Sequence, residues 1–151
     1  MKKEEFAWRL YESEREFIRH HENQRTNASS ILAAIAAALV VAISSETVSG
    51  VSQLIVSATL ALVGIFGSVF SGKLYELIQM HAGRSYSYLK ILDDEFPEID
   101  IDNVKKSVKE SQKNKFPLFA KISLNRIWFY FHLLVAACGS IFTVILYFGL
   151  D

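Results

Sequence analysis

Residues 51–72 read VSQLIVSATLALVGIFGSVFSG, an apolar stretch without a charge, and residues 73–96 follow as KLYELIQMHAGRSYSYLKILDDEF with no Pro between them. A span of about 20 apolar residues is enough to cross a bilayer core. The second half keeps a helical spacing of apolar side chains at Leu74, Leu77, Ile78, Ala82, Leu89, Leu92 and Phe96. The pattern predicts one helix that leaves the membrane and continues in water. Pro97 ends it, because the residue before a proline is pushed out of the α region. Gly83 is its weak point, costing about 1 kcal/mol against Ala in an exposed helix.

The rest of the 151 residues sorts in the same way. Net charge is zero and 21% of residues are charged, an ordinary average that conceals segregation. Residues 26–72 hold one charge, Glu46, and residues 127–150 hold none. Apolar blocks alternating with charged blocks belong to a chain that meets two solvents. The expected fold class is therefore all-α, an integral membrane protein with three transmembrane helices. It adds an N-terminal amphipathic helix and a long cytoplasmic helical extension. The expected segments are an amphipathic helix at 1–25, spans at 27–44, 51–72 and 127–150, a stalk helix at 73–96 and a charged segment at 97–126. The opening MKKEEFAWRLYESERE lacks the apolar core of a cleavable signal peptide. The single Cys138 excludes an intrachain disulfide and reads as a packed small residue.

In residues 2–25 apolar side chains fall at Phe6, Ala7, Leu10, Tyr11, Phe17 and Ile18, one helical face, with Glu5 and Arg9 at an i,i+4 spacing. Glu14, His20 and His21 are a candidate proton- or ligand-sensing cluster on this helix; the alternative is an amphipathic helix lying on the membrane or on a partner helix. The first span repeats small residues at Ser30, Ala34, Ala38 and Ala42, and the second at Ser57, Ala61, Gly64, Ser68 and Gly72. Helices in lipid gain little from the hydrophobic effect, so close approach through small residues drives their packing. Ala34, Ala38 and the second row are therefore candidate packing residues. The first span or a neighbouring subunit is the expected partner of that row. Gln53 is a candidate for lining a conduit or capping a contact between helices. His132, the one ionisable side chain within the third span, is a candidate gating residue or a shallow interhelical hydrogen bond. Trp128, Tyr130 and Tyr147 mark its two interfaces.

Six acids crowd residues 93–102, and six lysines run from Lys105 to Lys121. The acids match no EF-hand spacing, and no metal is expected. The lysine run reads as a short helix capped by Asp102 or Asn103, suited to an anionic membrane leaflet. All 16 Lys and Arg fall in 2–25 or 73–126, which by the positive-inside rule places both segments in the cytoplasm and the C-terminus outside.

No phosphate loop, Cys/His metal spacing or Ser-His-Asp arrangement is present, so no enzyme activity and no cofactor are expected. Arg15 and His20 fit the loose Arg-x4–6-His spacing of HEPN ribonucleases, which keeps a membrane-tethered ribonuclease as a minor alternative. The run YESEREFIRHHENQRTNASSILAAIAAAL, followed after a hairpin by KLYELIQMHAGRSYSYLKILDDEFP, resembles small bacterial membrane proteins: the SLATT-type effectors of antiphage defence loci and the related RipA-type octameric proteins. The resemblance covers roughly residues 10–98, with Asn27 opening the first span. It implies a homo-oligomer of the bacterial inner membrane that forms a pore or disrupts the bilayer when triggered. Lipid, further copies of the chain and a cytosolic defence-system protein are the implied partners, without direct nucleic-acid binding. The alternative is a membrane-anchored scaffold that recruits a cytosolic partner through the acidic and lysine-rich segments.

Overall fold

The computed structural model describes residues 2–98 and 100–149, and not the side chain of Phe119. Leu150, the end of the third expected span, and Asp151 lie outside the described residues, as do Met1 of the amphipathic segment and Ile99 of the acidic stretch. The described residues are all-helical: α1 (Lys3–Ile43), α2 (Val51–Glu95), α3 (Ile101–Lys115), a single 3-10 turn at Phe119–Lys121, and α4 (Leu124–Phe148). Helices α1, α2 and α4 are each long and apolar enough to cross a membrane.

The segments expected as an amphipathic helix and a first span form one helix. Between Lys2 and Ser49 there is neither Gly nor Pro, and the polar run Gln24–Ser30 does not break α1. Gly50, at a left-handed φ of 59°, turns the chain into α2. Glu5 and Arg9 form their exposed ion pair at 2.8 Å. Helix α3 is capped by Asp100, not by Asp102 or Asn103: its carboxylate accepts the Asn103 N–H at 3.1 Å. Asp93 accepts the Ile101 N–H at 2.8 Å, so two of the acids organise the start of this helix.

The chain forms two units. A charged unit comprises residues 1–23 and 75–123, and an apolar unit comprises residues 24–74 and 124–151. Helices α1 and α2 contribute to both.

Burial along α2 follows an alternation of three and four residues. In the apolar unit the buried positions include Ser57, Leu60, Gly64, Gly67, Ser71 and Leu74; in the charged unit they are Ile78, His81, Ser85 and Leu92. This is the 3.5-residue period of coiled-coil packing, in which one stripe of the helix stays against its neighbours. Exposed Ile55, Leu62, Phe66 and Val69 occupy other faces of α2. Gly83 is exposed, and a Cβ there would meet nothing. Gly83→Ala is expected to stabilise the charged unit by up to about 1 kcal/mol, measured by thermal melting in detergent.

Candidate functional site

In the apolar unit α4 packs on α2 through glycines that face small residues. A Cβ on Gly64 would lie 2.8 Å from the Cβ of Ala136, and one on Gly139 would lie 2.7 Å from the Cα of Ala61. One turn further, Thr143 Oγ1 donates to Ser57 Oγ at 3.1 Å. Ser57, Ala61 and Gly64 therefore meet α4. Buried Ser68 returns its hydroxyl to the Gly64 carbonyl. Gly72 meets nothing within 4 Å and takes no part in the close approach.

Ala34 and Ala38 are exposed, so the row expected on α1 is not the one that packs within the chain. The buried residues there are Ser29, Ala36 and Ile43, with Ala36 and Ile43 against Leu60 of α2. Rows stepped by four residues drift about 40° per step around a helix of 3.6 residues per turn, so they leave a contact that alternates threes and fours. Gln53 caps the end of α1, donating its amide to the Ile43 carbonyl at 2.7 Å.

His132 is the most deeply placed polar ring of the unit, 1% exposed. Its Nε2 pairs with Ser29 Oγ at 3.2 Å, and its ring lies against the α2 backbone at Gly67, where a Cβ would stand 2.5 Å from Nδ1. Ser29, Gly67 and His132 thus share one layer of the three helices. Gly67 is a further close approach of α2, missed because the row expected there passes from Gly64 to Ser68.

One turn along, α1 and α2 present Arg25 and Ser71. Arg25 is 6% exposed and donates Nη1–H to Asn125 Oδ1 at 3.1 Å. Its Nε–H and the Ser71 hydroxyl are buried with no hydrogen-bond partner among the described residues. In the sequence of the apolar unit Arg25, Lys73 and Arg126 fall where α1 enters, α2 leaves and α4 begins. Ser29→Ala leaves the buried imidazole without its partner and is expected to cost about 1 kcal/mol, read from the unfolding midpoint in detergent.

The charged unit has its own polar centre. Glu14 Oε2 and His81 Nδ1 are 2.5 Å apart, with both side chains nearly buried. Phe17 stacks on the His81 ring at 5.0 Å and His21 at 5.4 Å. Glu14 and His21 of the expected cluster are brought together by His81, which was not among the expected residues. Its signal was its position, three residues beyond Ile78 on the buried stripe of α2. His20 is exposed and makes an edge-on contact with His21. Arg15 lines a surface hollow with Trp8, Tyr11 and Arg19, and His20 is not among its walls. No group of three or more metal-ligating side chains forms among the described residues.

Tyr86 joins α2 to α3. Its hydroxyl donates to Asp102 Oδ1 at 3.0 Å, and Lys105 Nζ stands 3.7 Å from the ring centroid. The hydrogen bond to Asp102, then its negative charge, pushes the phenol above its usual value. A raised folded-state value means the link is complete below the unfolded phenol value of about 10 and is lost as pH climbs through the folded one. Asp102→Asn is expected to bring the Tyr86 titration down toward that value, followed by absorbance at alkaline pH against Tyr86→Phe.

No family model matches this chain, and no curated protein or solved structure matches it significantly.

Proposed function

We propose that this chain is the subunit of a homo-oligomeric effector of the bacterial inner membrane that permeabilises the bilayer when triggered. The reading places the N-terminus and residues 73–126 in the cytoplasm and the C-terminus outside, following the distribution of Lys and Arg. The observation that carries it is the polar interior of the apolar unit. Arg25, Ser29, Ser57, Ser71 and His132 are buried, while Val41, Ile55, Leu62, Val69 and Ile145 are exposed. Polar groups within membrane bundles are costly, and they mark pathways for ions and water. Two of these groups are unsatisfied, so hydrating this layer relieves an existing penalty.

In this reading the polar layer opens toward a common conduit when several copies assemble, and the Glu14–His81 pair holds α1 and α2 of the charged unit closed. The role in antiphage defence rests on the resemblance of residues 10–98 to the SLATT-type and RipA-type proteins. A recruiting scaffold is the less supported reading. Asp93, Asp100 and Asp102 are engaged in local hydrogen bonds that organise α3.

Flux from proteoliposomes tests the proposal. Release of potassium is expected from vesicles carrying the protein with His81→Ala, and Arg25→Met with Ser71→Ala added to that variant suppresses it while leaving assembly intact. Vesicles that stay tight with the incorporated His81→Ala protein would remove the reading.

A further inference from the structure

We propose that residues 101–122 are a docking surface for an anionic lipid bilayer, separate from the polar interior of the apolar unit. Helix α3 has no buried residue. Ile101, Val104 and Val108 lie within about 60° of one another around its axis, and Val104 and Val108 are 54% and 61% exposed. The chain beyond the helix continues the apolar strip: Phe116, Leu118 and Ile122 are each more than half exposed. Nothing among the described residues covers these five side chains.

The charge pattern names the occupant. Six lysines lie between 105 and 121 against two acids, Asp102 and Glu110. Asp102 is already bonded to Tyr86. On α3 Lys105 and Lys109 stand within about 100° of Val108 on one side and Lys115 lies on the valine side itself, and Lys115 and Lys121 bracket Phe116 and Leu118 along the chain. A modestly apolar face edged by lysines is the composition of a helix that lies in a membrane interface, where apolar side chains enter the headgroup region and lysines meet lipid phosphates. A protein partner with a groove would supply carboxylates to the lysines, and a second copy would set lysine against lysine on the same strip.

Connectivity brings the bilayer within reach. The strip ends at Ile122, two residues before α4, a candidate span. Lys115 is nine residues from Leu124, so even a fully extended chain keeps the end of α3 within about 30 Å of the start of that span.

The test uses the full chain with Cys138→Ser and one cysteine at Val108, Leu118 or Glu110, the last on the opposite face of α3. Each is labelled with an environment-sensitive fluorophore. The protein is reconstituted in phosphatidylcholine vesicles with or without phosphatidylglycerol, and a lipid-borne quencher is added. With phosphatidylglycerol present, Val108 and Leu118 are expected to be quenched about twofold more than Glu110, and the difference shrinks in high salt. Replacing the six lysines by glutamine is expected to abolish the dependence on phosphatidylglycerol. Equal quenching at the three positions would overturn the proposal. So would protection of Val108 and Leu118 from both lipid-borne and aqueous quenchers, which would place a second copy on the strip.

Discussion

Gly64→Leu combined with Gly139→Leu is expected to separate α4 from α2 and cost roughly 3 kcal/mol or more. The reason is that both glycines face backbone. A Cβ at position 64 would meet the main chain of Ala136, and one at position 139 the main chain of Ala61. A side-chain clash is relieved by a change of rotamer, whereas a clash with main chain moves the helix. The helices would have to part, and the Ser57–Thr143 hydrogen bond would go with them. Gly72→Leu is the control. Position 72 has open space around it, so its expected change is within about 0.5 kcal/mol. Unfolding by SDS titration, followed by circular dichroism, compares the variants. Equal losses for Gly72→Leu and the double variant would show that glycine content in α2 matters and the α2–α4 contact does not.

His81→Ala is the second large effect, expected to cost about 2–3 kcal/mol in the charged unit. The substitution strands Glu14, a nearly buried carboxylate, and removes the ring on which Phe17 and His21 stack. Glu14→Gln keeps a hydrogen-bonding amide at the same place and should cost less. In a double-mutant cycle the pair should couple by about 1 kcal/mol or more, since the residues touch directly. Hydrogen exchange at residues 10–22 and 76–88 reads the loosening. Additive single effects would mean that the Glu14–His81 contact contributes nothing beyond packing.

The three long apolar helices were legible in the sequence because lipid-facing helices need unbroken apolar runs and tolerate few charges. The course of α2 from Val51 to Glu95 was legible for a simpler reason: no proline interrupts it before Pro97. Pairing between helices was harder to read. Small residues can be lined up in rows of four, as at Ser30, Ala34 and Ala38, yet the contact follows the 3.5-residue alternation and passes through Ser29 and Ala36. On α2 the expected row passed from Gly64 to Ser68 and so missed Gly67, and the buried stripe was not followed on to His81. His132 was conspicuous as an ionisable group in an apolar run, but its partners, Ser29 and Gly67, lie on other helices, and no local signal specifies a contact across 103 residues. Arg25 looked like the last charge of a wet helix. Only the fold reveals that it is buried against Asn125.

In the proposed reading, the polar interior of the apolar unit, the glycine contacts of α4 and the Glu14–His81 pair act through assembly of several copies. Ala34 and Ala38 are exposed within the chain, and in that reading they are the small residues available to a neighbouring copy. Native mass spectrometry of the protein in lipid nanodiscs, with symmetry read from class averages of the same particles, addresses this directly. The account predicts a closed ring of more than two copies around a central axis. A monomer or a dimer at every lipid composition would contradict it.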